Sequence, residues 1–287
     1  MVESAKAEPK AGFVTFVSEH RTTLIQLCLM LSLLLPMIFP LRLHISISAH
    51  PKAFYNYIET QVKPGQKVLF ACDVGAANLG EKLGNTIAFL YQALHRGAKI
   101  YMVGTFTTDG VLMVYDKYII PGLNPTGLGY VYGRDYVNLG YIPGAAVGRD
   151  AFARSISSVF PTDNFGTPIG SIPMMAGMNT LADFDLIVGS DYPTDVASIW
   201  SVPWKKPQLQ LGDQGQITRD LEPLYQAGVI KEYVAGSVHA AEYESLLGRP
   251  GRALAMQDSL SICQLLILGL YITNNAWLLT HKGEKKK

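Results

Sequence analysis

From Leu24 to Leu41 the chain carries no charge, and its only polar side chains are Gln26 and Ser32. A helix of about 18 residues rises about 27 Å, close to the thickness of bilayer hydrocarbon. A second apolar run, Leu260–Leu279, follows near the C-terminus and holds Gln264, Asn274 and Asn275. The charged leader before the first run is long, and the run exceeds an ordinary signal-peptide apolar region, which favours a retained anchor over a cleaved signal. A buried core helix is the alternative. Pro36 and Pro40 should shorten or kink the outer end of the first run. The expected organisation is a tail (1–21), a transmembrane helix (22–43), one α/β domain (44–256), a second transmembrane helix (259–280) and a basic tail (281–287).

Charged residues make up 16% of the chain, below the roughly 25% usual in soluble domains, as two lipid-embedded helices would produce. A net charge of +1 gives no basic field for nucleic acid. Cys28 and Cys263 fall inside the apolar runs and leave only Cys72 in the domain. An intradomain disulfide and a cysteine metal cluster are therefore excluded. Lys6, Lys10, Arg21, Lys282, Lys285, Lys286 and Lys287 flank the tail sides of the runs. Arg42, Lys52, Arg249 and Arg252 flank the domain sides. This bias predicts cytoplasmic termini and an extracytoplasmic domain in a two-pass protein of the cell membrane.

The middle alternates strands and helices. After a juxtamembrane connector, 44–64, with a short helix near Ala53–Val62, the run Lys67–Asp73 (KVLFACD) has the continuous apolar character of a buried strand. Leu79, Leu83, Ile87, Leu90 and Leu94 recur at helical spacing as far as Gly97, and Lys99–Thr105 reads as a second strand. A helix is expected within Asp109–Ile120. Strand, helix, strand with short joins is a βαβ unit, which implies a parallel sheet covered on both faces. Asp185–Ser190, Gln208–Gly212 and Lys231–Gly236 continue the strands, with helices at Ile217–Ala227 and Ala240–Leu247. Between the halves, 121–173 reads as an irregular insertion rich in Gly, Pro, Tyr and Asn, with a strand at Tyr136–Leu139 and a helix at Ala145–Ser158. The fold class is α/β, a Rossmann-like parallel sheet flanked by two transmembrane helices.

The segments VYGRDYVNLGYIPG, VFPTDNFGTPIGSIPMM and AAEYESLLGRPG resemble a family of uncharacterised bacterial and archaeal membrane proteins. The resemblance covers roughly Tyr57 to the second apolar run. It implies one anchor near each end with a Rossmann-like domain between them, and it brings no activity or catalytic residues. This chain has ACDVGAANLG after its first strand, where relatives carry a more acidic, proline-containing turn.

Candidate chemistry is sparse. Gly75–Gly80 (GAANLG) has the glycine spacing of a phosphate-binding loop, but Glu81 stands where the lysine belongs, and there is no GxGxxG. A tight turn is the plainer reading. Ligand sites of open α/β sheets form at the carboxyl ends of strands, so Asp73, Gly75, Gly80, Thr105 and Asp191 are candidate ligand-binding residues. Ser190, Asp213 and His239 follow the nucleophile–acid–histidine order of α/β-hydrolases, but the sequence around Ser190 lacks both glycines of the nucleophile elbow. A Cys72–His239 dyad is a further catalytic candidate. Polar residues at these positions also serve as helix caps and turn formers. No metal site and no cofactor is implied, since the six histidines are dispersed. His44 and His50 read as residues of the membrane interface.

Tyr130, Tyr132, Tyr136 and Tyr141 with Arg134 form an aromatic loop of the composition enriched in binding hot spots; tyrosines covering a sheet edge are the bland alternative. Asn274 and Asn275 are costly facing lipid and satisfied against another helix. The favoured function is a non-catalytic binding or scaffolding subunit of an envelope assembly. Its expected partners are the lipid bilayer and other membrane subunits, or further copies of itself in a homo-oligomer. A hydrolase using Ser190 or Cys72 with His239 is one alternative, and a small-ligand sensor the other.

Overall fold

The structure, a computed structural model, describes residues 19–280. The terminal lysines that carry much of the charge asymmetry lie outside the described residues, as do most of the N-terminal tail and the basic C-terminal tail. The chain divides into two compact units, one formed by His44–Leu254 and the other by the stretches that flank it on both sides.

Six strands build the larger unit: β1 (Lys67–Ala71), β2 (Lys99–Gly104), β3 (Tyr136–Tyr141), β4 (Leu186–Gly189), β5 (Gln208–Gly212) and β6 (Glu232–Ala235). Their order is β3-β2-β1-β4-β5-β6, and every pairing is parallel. This is the doubly wound order in which the chain runs outward from the centre twice, reversing between β1 and β4. Successive side chains point to opposite faces. Val68, Phe70 and Cys72 therefore enter one core with Ile100 and Met102, while Leu69 and Ala71 enter the other with Tyr101 and Val103. Burial on both faces explains why these strands read as continuous apolar runs rather than alternating ones.

The first face is covered by α2 (Ala49–Gln61), α3 (Leu79–His95) and α5 (Gly236–Leu246). The second is covered by α4 (Ala145–Arg154), the irregular segment 156–184 and Trp200. Here α1 denotes the apolar helix Arg21–Ile38 and α6 the helix Arg252–Thr280.

Several expectations change in detail. The connector after the first apolar run is a core element: Phe54, Ile58 and Val62 lie on one stripe of α2 and just beyond it, and they are buried in the first core. His50 stacks on Tyr233 with ring centroids 4.2 Å apart and lies 3.4 Å from Glu232. The strand expected at Tyr136–Leu139 within the 121–173 stretch is β3, and it pairs with β2 as a full member of the sheet. A register shift between Met102 and Val103 accommodates Leu139 as an extra residue, and the Asn138 side chain ties the bulge to Val111 O at 2.6 Å and to Gly140 N at 3.1 Å. The helix read as 145–158 breaks at Ser155, whose extended backbone (φ −157°) starts a separate short turn.

Two glutamates of α5 fasten the ends of the domain. Glu242 Oε2 accepts the backbone N–H of Ser48 at 2.7 Å and its hydroxyl at 2.5 Å, where α2 starts. Glu244 accepts the N–H groups of Gly251, Ala253 and Leu254 at 3.0, 3.2 and 2.9 Å, the donors left unpaired at the start of α6. A carboxylate there also opposes the positive end of the helix dipole. Burial pushes the Glu244 carboxyl above the usual range, against three backbone hydrogen bonds that pull it down. Between them Tyr243, fully buried, donates to Gln92 Oε1 at 2.5 Å. Gly84 of α3 allows this packing, since a Cβ there would stand 2.8 Å from Ala253 Cβ.

In the smaller unit, α1 spans 18 residues, about 27 Å of rise, and α6 spans 29, about 44 Å. Both are long and apolar enough to cross a membrane. The excess length of α6 is its first part, where Asp258 is buried and accepts the backbone N–H groups of Arg42 and Leu43 at 2.8 and 3.0 Å.

Replacing Glu244 by Ala leaves three backbone donors unpaired, two of them buried, and should cost about 2–4 kcal/mol. Glu244→Gln, which keeps an acceptor oxygen, should cost clearly less. Guanidinium unfolding of the detergent-solubilised protein reads both; equal stabilities for Ala and wild type would refute the capping role.

Candidate functional site

The reversal between β1 and β4 opens a crevice at the carboxyl ends of the strands, where ligands of such sheets bind. The loops after β1, β2, β4 and β5 bring together most residues singled out in the sequence, and the structure assigns nearly all of them structural partners.

Ser190 sits at the end of β4 and is fully buried. Its hydroxyl donates to Ala71 O at 2.9 Å and accepts Asp73 N–H at 2.6 Å, stapling β4 to the end of β1. Asp73, also buried, accepts from Thr105 Oγ1 at 2.5 Å and from the N–H groups of Thr105, Phe106 and Thr107 at 2.8, 2.7 and 3.1 Å. That carboxylate closes the loop after β2. Burial raises its pKa, against those same hydrogen bonds. Cys72 points into the first core, and its Sγ lies 3.6 Å from Gly110 O. Burial, reinforced by the charge of Asp73, pushes the thiol far above its ordinary value, where the nucleophilic thiolate is scarce. Gly110 has no room for a side chain, because a Cβ would overlap the carbonyl of Cys72.

His239 lies on α5. Its Nδ1 accepts the N–H of Ala235 at 3.2 Å, and burial lowers its pKa, with His50 pulling the same way and Glu242 opposing. Among the described residues, no hydrogen bond joins His239 to Ser190, Asp213 or Cys72. Neither the Ser190–Asp213–His239 relay nor the Cys72–His239 dyad is assembled. Gly75 and Gly80 belong to the turn into α3, where Ala76 N–H reaches Asp109 Oδ2 at 3.3 Å.

A charged centre that the sequence reading missed lies beside them. Lys82 on α3 has a fully buried side chain, and its ammonium lies 2.5 Å from Asp191 Oδ2 and 3.6 Å from Asp213 Oδ2. The contact is an ion pair rather than a well-aligned hydrogen bond. Asn78 Nδ2 reaches Asp191 Oδ2 at 3.2 Å, and the amide of Gln216 donates to Asp191 Oδ1. Asp213 accepts Gln216 N–H at 3.0 Å, a turn-forming bond. One signal in the sequence could have exposed Lys82. It stands in a helix with no acid three or four residues away on either side, so any counter-charge must come from another segment.

Above this centre a cleft of about 280 Å³ is lined by Asp191, Tyr192, Asp195, Asp213, Gln216 and Arg219, among others. Tyr192 has φ +45°, a strained value for an aromatic residue. Its ring stacks on Phe106 with centroids 3.8 Å apart. The buried guanidinium of Arg149 lies 3.9 Å from the other ring's centroid and donates to Thr105 O at 3.0 Å. Aromatic rings thus fill part of the crevice.

The aromatic loop turns largely inward. Tyr136 is buried, and Tyr130, Tyr132 and Tyr141 are half-buried against the first core. Tyr132 OH reaches Asp163 Oδ2 at 2.8 Å. Arg134 is exposed and pairs with Asp135 at 2.7 Å. In the smaller unit, Asn274 lines a groove with Arg21, Leu24 and Ile25 of α1, while Asn275 donates to Tyr271 O of its own helix at 2.8 Å. Among the described residues, no cluster of side chains is suited to hold a metal ion.

The fold and this crevice define a doubly wound parallel α/β domain whose chain also carries two helices apolar enough to cross a membrane. No family model, curated protein or solved structure matches the chain.

Removing one partner of the Lys82 pair strands a buried charge. Lys82→Met should therefore cost about 3–5 kcal/mol, and Lys82→Met with Asp191→Asn less than the sum of the single changes. Additive single and double variants in guanidinium unfolding would contradict the pairing. His239 predicts a pH effect of definite sign. Its folded pKa lies below the unfolded value, so its contribution is present above about pH 6.5 and is lost as pH falls through the folded value. The stability difference between wild type and His239→Asn should shrink on acidification; a difference independent of pH between 8 and 5 would contradict this.

Proposed function

We propose that the protein is a membrane-anchored α/β binding module, a non-catalytic scaffolding subunit of a larger envelope assembly, spanning the bilayer twice. The observation that carries this reading is the fate of Ser190. The one serine placed like a hydrolase nucleophile spends its hydroxyl joining two strands. Cys72 is buried with its thiol held protonated, and His239 faces a backbone amide. The charge bias around the apolar runs supports cytoplasmic termini and an extracytoplasmic domain, and the segment resemblance points to membrane proteins of the same layout.

A second reading, a sensor of a small polar ligand, is favoured by the cleft over Asp191 and Asp213. A neutral or cationic ligand with several donors would suit its carboxylates.

Extraction in mild detergent followed by native mass measurement tests the scaffold reading. A defined complex, with copies of this chain or with other membrane subunits, is expected. A clean monomer would contradict it, and a co-purifying small polar molecule lost on Asp213→Ala would replace it with the sensor. A reporter active only in the cytoplasm, fused after Lys287, should be active; a silent fusion reverses the assigned topology.

A further inference from the structure

A second cleft, away from the strand ends, has features of a different kind of ligand. It encloses about 290 Å³ between α3, the helical segment 115–123, the end of α5 and the loop that leads into α6. Leu83, Ile87, Ala88 and Leu247 give it apolar walls, and Arg249 and Arg252 stand along it. The segment AAEYESLLGRPG, singled out in the sequence, supplies Glu244, Leu247 and Arg249.

The two arginines are in different states. Arg249 spreads over the Tyr91 ring, 4.4 Å from its centroid, and donates through Nη2 to Gly122 O and Leu123 O at 3.2 and 3.1 Å. Its Nη1 is buried and has no hydrogen-bond partner among the described residues. A buried, unpaired donor on a guanidinium calls for an explanation, and an acceptor supplied by a ligand is one. Arg252 is the first residue of α6, is exposed, and makes no ion pair among the described residues. Glu244 also lines the cleft, but its oxygens already accept the three N–H groups at the start of α6. Two cations against one satisfied carboxylate leave the cleft net positive.

Apolar walls with a cationic lip match an anionic amphiphile, whose head takes the arginine donors and whose chain takes the walls. In this sequence the lip belongs to the helix that enters the apolar run at Leu260, so the amphiphile closest at hand is a membrane lipid. We infer that the cleft between α3, α5 and the 249–252 loop is a binding site for an anionic phospholipid, its phosphate held by Arg249 and Arg252 and part of one acyl chain lying against Leu83, Ile87 and Leu247. The cleft volume is at the small end for ligand sites, so most of the lipid lies outside it. This inference rests on the membrane-anchored reading.

The test uses the full chain in a mild non-ionic detergent, with native mass spectrometry of lipid adducts. Phosphatidylglycerol, phosphatidylcholine and inorganic phosphate are each titrated against wild type, Arg252→Gln and Leu247→Trp. Circular dichroism and lipid-free melting first establish that both variants are folded. The expected result is one retained phosphatidylglycerol per chain, weaker by about tenfold in Arg252→Gln, the scale of one lost charge-assisted hydrogen bond. It should be lost in Leu247→Trp, which fills the cleft. Equal retention of phosphatidylcholine, or unchanged phosphatidylglycerol binding in Leu247→Trp, overturns the proposal. Displacement of the lipid by millimolar phosphate also overturns it, because the acyl chain would then contribute nothing. If either variant fails to fold, photocrosslinking of an acyl-diazirine phosphatidylglycerol to the wild type decides: labels within 83–88, 118–122 or 244–252 are expected, and their absence overturns the proposal. A protein that stays soluble without detergent would refute the anchored reading itself, a different outcome from a membrane protein that retains no lipid.

Discussion

Two carboxylates of α5, on either side of the buried Tyr243, bind the backbone where the chain enters and leaves the sheet domain. Glu242 takes Ser48 at the head of α2, and Glu244 takes the first amides of α6. Each bond joins a carboxylate to backbone donors that lack an intrahelical partner, so the two sites are specified by need rather than by general compaction. α5 itself is fixed by Tyr243 on Gln92 and by close packing along α3. The start of α6 is thereby coupled to the first core of the sheet through one short helix.

The carboxyl edge of the sheet follows a similar logic. A doubly wound sheet must reverse between its central strands, and the reversal leaves backbone groups and a crevice to satisfy. Here Ser190 and Asp73 meet that requirement with internal hydrogen bonds, while Phe106 and Tyr192 fill space. Lys82 and Asp191 form a buried pair beside the reversal. Such a pair contributes little net stability over an apolar equivalent, but it penalises any arrangement that separates the charges. It serves to fix the position of α3 against the loop after β4.

Much of the sheet was legible in the sequence because parallel strands buried on both faces must be apolar along their buried length, as VLFA, IYMVG and LIVG are. Gln208–Gly212 was legible for a different reason. Its leucines face the first core, and Gln208 and Gln210 face the segment 191–201, where Ser201 and Asp191 O accept or supply their hydrogen bonds. The edge strand β3 was partly hidden, since a bulge at Asn138–Gly140 breaks its periodicity and a run of tyrosines suggests a surface. The role of α2 was hidden because the stripe of Phe54, Ile58 and Val62 lies between polar residues next to an apolar helix. The candidate site was legible as a set of positions but not as chemistry. Sequence order places these polar residues after strands, whereas which of them satisfy each other depends on contacts between residues far apart in the chain, such as Lys82 and Asp191.

Hydrogen exchange on the detergent-solubilised full chain tests the central claim most directly. Amides in the first turn of a helix normally exchange quickly because they lack intrahelical partners. If α5 couples the sheet to the start of α6, the amides of Ser48, Gly251, Ala253 and Leu254 should be protected and should exchange together with those of α5. Exchange of these four at free-peptide rates, while β1 and β4 stay protected, would contradict the account.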